Sequence, residues 1–295
     1  MTPEDVLSGK GKILSQDQRQ FYFDNGYLLV ENAIPQEWVV RLRATTEQMV
    51  EQSRPISQSN AVFDLEPGHS AQNPRLRRLT SPVDQHPDYW AYASESILAD
   101  IIADLVGPDV KFHHSKLNFK WAEGGEEVKW HQDITYWPHT NYSPLTVGTY
   151  LHDVDDEQGP LAVIPGSHKG ELFDQYSQEG NWVGCIAEAD LQQLDLDRID
   201  HLKGPAGSLT IHNCRLVHGS KKNLSPTGRP LLLNAYSAAD ALPYTYNPIN
   251  SPTYSGQIVR GRPARWARHD PRPCLIPPDW SNGYTSLYAL QQQEK

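Results

Sequence analysis

From residue 110 onward the apolar period of this chain changes from that of a helix to two, and this switch limits the fold more than any other feature. Val110, Phe112, His114, Lys116, Asn118 and Lys120 fall on one face of a predicted strand. Lys111, His113, Ser115, Leu117, Phe119 and Trp121 fall on the other. A face carrying two Lys, an Asn and a His either meets solvent or lines the inside of a barrel that binds an anion. Further strands are predicted over 145–151, 161–164, 208–211 and 231–236, separated by Gln158-Gly159-Pro160, Pro165-Gly166 and Pro205-Ala206-Gly207. The 23 Pro, 20 Gly, 8 Trp and 14 Tyr suit short strands and turns better than long helices.

Before residue 110 the pattern is helical. Ser15 with Gln18 fits a capping box, and Phe21 and Phe23 run up to the stop at Asn25-Gly26, so a helix is expected over 16–25. Tyr27-Leu28-Leu29-Val30 reads as a strand, and Pro35 opens a helix carrying Trp38, Val39, Leu42 and Met49. A third stripe, Ile97, Leu98, Ile101, Ile102 and Leu105, stops at Gly107-Pro108. Helices first and strands afterwards predict an α+β chain with a mainly β core, an antiparallel sandwich or barrel in one domain over 1–295. Within it, about 1–109 is helical, 110–240 is the β core and 241–295 a C-terminal arm or lid.

The net charge of −10 would repel a phosphate backbone, so nucleic acid is not an expected partner. Cys185, Cys214 and Cys274 are odd in number and show no Cys-x-x-Cys spacing, which favours a reducing cytoplasm over a disulfide framework. The acidic start has no apolar run behind it, and no stretch approaches the roughly 20 apolar residues of a membrane span. A soluble, unexported, cytoplasmic protein is expected.

His131-Gln132-Asp133 puts an imidazole and a carboxylate at i and i+2, about 7 Å apart on one strand face, close enough for one metal. Such a triplet is weak evidence alone, since a second one, His86-Pro87-Asp88, reads as a surface turn because of its central Pro. A sheet-borne site needs a third ligand from a distant strand, and His218 in Leu216-Val217-His218-Gly219-Ser220 supplies it. Arg229 follows at the start of another strand run, placed to pair with a carboxylate held beside the metal. His212 lacks that context and is read as packed or supporting. His113, His114, His139, His152, His168 and His201 are read as ordinary polar or core histidines.

Trp130-His131-Gln132-Asp133, then Gly159-Pro160-Leu161-Ala162-Val163-Ile164-Pro165-Gly166-Ser167-His168, then Val217-His218-Gly219-Ser220 with Arg229, resemble the phytanoyl-CoA dioxygenase (PhyH) family of Fe(II)/2-oxoglutarate oxygenases. The resemblance is strong over about 110–237 and looser over the amino-terminal helices. It implies a double-stranded β-helix, a cupin-like jelly roll, with helices packed on one sheet. It implies that His131, Asp133 and His218 ligate iron, that Ser220 and Arg229 hold the distal carboxylate of 2-oxoglutarate, and that Lys116, Lys120 and Arg78 lie beside the co-substrate. Three protein ligands on one face of an octahedral ion leave room for a 2-oxo acid and O2. The expected reaction hydroxylates an unactivated C–H bond of a small organic molecule, releasing succinate and CO2. In the related halogenases the carboxylate ligand is replaced by a small residue, so Asp133 argues against halogenation.

Many relatives carry a Trp against the co-substrate where this chain has Gly148, a change expected to enlarge the cavity. Tyr136, Trp137 and Tyr236 follow ligand strands and are candidates for the substrate wall, or for simple packing. Arg260, Arg262, Arg265 and Arg268 form either a lid for an anionic substrate or a solvated surface. Two other readings compete: a metal-dependent cupin-type hydrolase or isomerase, and a non-catalytic jelly roll that binds a small molecule.

Overall fold

The computed structural model describes residues 1–122, 125–280 and 287–291. The amino-terminal part runs α1 (Pro3–Ser8), α2 (Gln16–Asn25), β1 (Tyr27–Val30), α3 (Gln36–Ser53), β2 (Phe63–Leu65), β3 (Leu76–Thr80), α4 (Pro82–Gln85), α5 (Pro87–Glu95) and α6 (Leu98–Val106). Then come β4 (Val110–Asn118), β5 (Val128–His131), β6 (Leu145–Tyr150), β7 (Leu161–Val163), α7 (Glu188–Leu191), β8 (Asp200–Leu202), β9 (Leu209–Asn213), β10 (His218–Ser220), β11 (Leu231–Ala238), β12 (Ile258–Arg260) and α8 (Leu287–Gln291). α2 occupies the expected span because Ser15 and Gln18 do form the capping box, and Gly26 ends it in the left-handed region at φ 83°.

Strands β1-β9-β6-β11-β4-β3-β2 form an eight-stranded sheet in which β12 also pairs with β4, and β5-β10-β7-β8 form a four-stranded one. From β4 to β11 the chain passes repeatedly between the two sheets, and the ladders are antiparallel. This is the double-stranded β-helix, with helices packed on the large sheet. Leu42 and Met49 of α3, Tyr89 and Tyr92 of α5, and Ile101 and Ile102 of α6 are fully buried in one cluster with Phe112, Leu117, Val147, Ile211 and Leu232 of the sheet.

The alternation predicted along β4 does not run unbroken. Opposite β11 the register shifts between Ala235 and Tyr236, which pair with His114 and Phe112, so His113 is an extra residue. Val110 and Phe112 therefore share the helix-facing core with Leu117 and Phe119, while Lys116 and Asn118 face the sandwich interior. His86-Pro87-Asp88, expected as a turn, starts α5: His86 is its N-cap, and its Nδ1 accepts from the Asp88 N–H at 3.2 Å.

The Arg-rich arm is ordered but does not cover the barrel mouth. Arg260 forks onto Asp100 of α6 at 3.0 and 3.1 Å, Arg268 reaches the Met1 carbonyl, and Arg262 and Arg265 are exposed. Residues 239–257 instead cross the inner end of β4, from its β11 edge to its β12 edge. Asn250 bridges to His114, and the Gly256 N–H donates to the Phe112 carbonyl at 2.9 Å. Among the described residues no helix is long and apolar enough to cross a membrane.

The amino terminus is fixed by one buried carboxylate. Asp104 of α6 accepts from the backbone N–H groups of Lys12, Ile13 and Leu14 at 2.8, 2.8 and 2.9 Å. Removing it strands three donors at once, so Asp104→Ala is expected to cost about 2–4 kcal/mol in urea unfolding while the folded variant still binds iron.

Candidate metal centre

His131 closes β5 and His218 opens β10, and the antiparallel register sets them directly opposite each other, with ring centroids 4.2 Å apart. Gly219 permits the close approach: a Cβ there would sit 2.8 Å from the Val128 carbonyl oxygen. Asp133 is not on the strand, contrary to the expected i, i+2 strand geometry. It begins a single 3-10 turn, Asp133–Thr135, placed by Gln132. The fully buried Gln132 amide donates to the carbonyls of Glu171 (3.0 Å) and Arg215 (2.7 Å) and accepts from the Phe173 N–H at 3.0 Å. The turn carries Asp133 Oδ1 to 3.7 Å from His131 Nε2 and 3.8 Å from His218 Nε2. Among the described residues, these three form the cluster whose ligand atoms all lie within 4.8 Å of one another.

Hydrogen bonds hold each ligand in its ligating form. His131 Nδ1 contacts the Lys129 carbonyl at 2.8 Å and His218 Nδ1 the Leu216 carbonyl at 2.9 Å. A carbonyl only accepts, so Nδ1 carries the proton and the Nε2 lone pair faces Asp133. Burial pushes the His131 pKa down to about 4 and that of His218 well below its usual value. Burial alone would raise the Asp133 carboxyl, but the His212 hydrogen bond and the Lys116 charge outweigh it and hold the group well below the carboxylate range. Thr146 Oγ1 donates to Asp133 Oδ2 at 2.8 Å and His212 Nε2 faces the same oxygen at 3.3 Å, leaving Oδ1 to the metal side. His212 thus supports the carboxylate.

Two lobes of a cavity meet at His131 and Asp133 and share Lys116, Asn118, Leu287 and Tyr288. One holds Ser220 and Arg229 beside Leu231 and Leu233. Arg229 is 3 % exposed, and its Nε and Nη1 meet no partner among the described residues. A buried guanidinium without a counter-ion is costly unless an anion joins it, and a dicarboxylate chelated at the triad would supply one. The donor set therefore fits both Fe(II) and 2-oxoglutarate. Lys120 is not beside Lys116; it lies past the end of β4, where Nζ donates to Ser220 Oγ at 2.7 Å and to the Lys221 carbonyl. Gly148 does not widen this lobe, because a Cβ there would meet Thr210 Oγ1 at 2.5 Å and Leu231 Cδ1 at 3.0 Å.

Arg78 lines the other lobe, with Tyr136 and Trp137, Asn247, Pro248, Ile249 and Trp280. Tyr236 does not reach it. The even-numbered face of β11 packs under the helices, and the Tyr236 hydroxyl donates to the Ala93 carbonyl at 2.8 Å. Arg262 lines neither lobe. Sequence reasoning missed Thr146, Asn247 and Trp280; Thr146 sits in an alternating strand, but no periodicity marks the other two. His113, His114 and His139 cluster edge-on and tilted around Trp137 as a buried group, their pKa values lowered chiefly by burial.

A double-stranded β-helix carrying two imidazoles and a carboxylate on one face of a metal position, next to a buried arginine, defines a non-haem Fe(II)- and 2-oxoglutarate-dependent dioxygenase. Residues 22–231 match the family described as phytanoyl-CoA dioxygenase (PhyH), and the chain belongs to that family. It is 30% identical over 263 residues to the probable alpha-ketoglutarate-dependent hypophosphite dioxygenase of Stutzerimonas stutzeri, covering 88% of this chain and 91% of the relative. It is also 30% identical over 268 residues to the ectoine dioxygenase of Bordetella parapertussis, covering 85% and 83%. Against the crystal structure of EctD from S. alaskensis with bound Fe, the TM-score is 0.68 at 25% identity, over 87% of each chain. With 2-oxoglutarate and 5-hydroxyectoine present in EctD, the TM-score is 0.67 at 24% identity, over 94% of each chain.

His131→Ala, Asp133→Ala and His218→Ala are each expected to abolish stoichiometric Fe(II) binding in anaerobic titration, whereas His86→Ala and Asp88→Ala retain it. Thr146→Val, which strips a hydrogen bond from Asp133 Oδ2, is expected to weaken iron binding about 10- to 100-fold.

Proposed function

We propose that the two lobes divide the reaction between them, with iron held by His131, Asp133 and His218 where they meet. Bound Fe(II) with 2-oxoglutarate supplies oxidative decarboxylation to succinate and CO2, coupled to transfer of one oxygen atom of O2 into a substrate C–H bond. Arg229 and the Ser220 hydroxyl hold the distal carboxylate of the co-substrate. Lys120 donates to Ser220 Oγ and so leaves the Ser220 proton free to donate into the lobe. Lys116, common to both lobes, adds positive charge beside the chelate. The lobe walled by Tyr136 and Trp137 takes a small organic molecule and holds the bond to be hydroxylated against the metal. Relatives named for ectoine and L-proline support a small-molecule substrate. None of the three cysteines forms a disulfide, which supports a cytoplasmic setting.

The observation that carries this reading is the buried Arg229 guanidinium, open on two of its nitrogens, in a lobe that ends at the metal ligands. Anaerobic addition of Fe(II) and 2-oxoglutarate is expected to produce the weak visible charge-transfer band of the chelate. Arg229→Gln is expected to raise the 2-oxoglutarate concentration needed for that band by about 30-fold or more, because a buried charge pair loses one partner. An unchanged requirement in this variant would move the carboxylate contact to another residue.

A further inference from the structure

A second cluster of cations lies apart from the metal. A groove opens where the end of β9 meets α2 and α6, and none of its lining residues lines either lobe of the cavity. Among the described residues that line it, Lys169, Arg215, Arg268 and Arg272 stand against a single carboxylate, Asp270. The chain as a whole carries −10, so this concentration of positive charge runs against its composition.

Arg215, in the turn between β9 and β10, is the buried member of the cluster. It is 4 % exposed, its Nη2 donates to the Gly170 carbonyl, and its Nε meets no acceptor among the described residues. Its guanidinium lies over the Tyr142 ring, 4.4 Å from the centroid, and that of Arg272 lies over the same ring at 4.7 Å. Asp270 does not answer both, because its two oxygens accept from Arg272 Nε and Nη2 at 2.8 Å each. Burial first, and then the neighbouring Arg272 charge, lower the Arg215 pKa. Lys169, at the rim, is already matched by Asp24 at 3.5 Å. A buried guanidinium with an open donor and no carboxylate bonded to it is costly until an oxyanion joins it.

The same residue is tied to the metal centre by its backbone. The Arg215 carbonyl accepts one N–H of the Gln132 amide at 2.7 Å, and the Glu171 carbonyl accepts the other at 3.0 Å. Since Arg215 Nη2 holds Gly170, the residue before Glu171, one arginine braces both segments that place Gln132, and Gln132 places Asp133.

We propose that this groove is a second anion site, in which Arg215 and Arg272 hold a small tetrahedral oxyanion of the phosphate or sulfate type, and that its occupancy tightens iron binding through the Gln132 amide. The site is separate from the co-substrate contact at Arg229, and only the coupling draws on the metal centre described above.

The test uses the whole protein with Fe(II) bound, titrated anaerobically by calorimetry with sulfate, methyl phosphate or acetate at fixed ionic strength. Sulfate or methyl phosphate is expected to bind once per chain, about tenfold or more tighter than acetate. The stronger of the two tells a free ion from the head of an ester. Arg215→Met, which keeps the carbonyl that holds Gln132, is expected to weaken binding about tenfold or more, and Arg215→Lys to restore part of the loss. Asp270→Asn removes the competing carboxylate and is expected to strengthen binding about threefold or more, a gain that misfolding does not produce. Arg229→Gln is expected to leave it within about twofold. Saturating anion is expected to lower the Fe(II) concentration for half-occupancy about threefold or more in the unmodified protein and not in Arg215→Met. The proposal is overturned by no binding of either tetrahedral anion, by acetate binding as tightly, or by unchanged binding in folded Arg215→Met. It is equally overturned by unchanged or weaker binding in Asp270→Asn, which decides alone if Arg215→Met does not fold. Loss confined to Arg229→Gln puts the anion in the catalytic cavity and overturns the site, and iron affinity that ignores the anion overturns the coupling.

Discussion

Two imidazoles facing each other across an antiparallel pair make half a metal site, and the other half depends on how the chain leaves β5. Gln132 settles that exit: both N–H groups and the oxygen of its buried amide are bonded to backbone groups of other segments. With Gln132 fixed, the next residue must enter a tight turn, and the Asp133 carboxylate arrives between the two rings. The carbonyls that set the His131 and His218 tautomers belong to residues two positions earlier in each segment, so the same local backbone that aims each ring also fixes its proton. Ligand geometry and ligand protonation are therefore one structural fact in this protein.

The two faces of the large sheet serve different ends. Its outer face is a dry junction with α3, α5 and α6, and its inner face supplies Lys116, Asn118, Thr146, His212 and Leu233 to the cavity. The extra residue at His113 is what separates these roles along β4. Without it, Phe112 and Lys116 would point the same way, and the cation would be buried under helices. The small sheet, by contrast, contributes His131, His218 and Ser220. The reaction centre thus lies in the gap between the sheets, where neither sheet alone could complete it.

Much of this was legible in the sequence, for physical reasons. Helix caps and breakers act locally, so α2 and the end of α6 fell where Ser15, Gly26 and Gly107 put them. The metal ligands were legible because their identity and order are chemically demanding. What the sequence concealed depends on register and on long-range packing. A bulge has no composition signal of its own, so the faces of β4 came out shifted by one residue beyond Phe112. Tyr236 looked like a pocket residue because parity along β11 cannot say which side holds the metal. The basic arm drew attention by charge, yet Arg260 spends its guanidinium on Asp100, and the uncharged stretch around Asn247 closes the cavity instead.

The stretch between β11 and β12 leaves along one edge of β4 and returns along the other, tied at both ends to a strand that holds no metal ligand. Its contacts with β4 combine main-chain bonds, as in the Gly256 to Phe112 bond and the Asn250 to His114 bridge, with side-chain ones, the Ser255 hydroxyl on the His113 carbonyl and the Lys111 ammonium on the Ala239 and Ala241 carbonyls. Residues 239–257 therefore bring Asn247, Pro248 and Ile249 to the cavity on a loop whose two ends are clamped to the same strand that carries Lys116. A changed side chain at the tip of that loop alters one wall of the cavity without touching His131, Asp133 or His218, which sit on other segments.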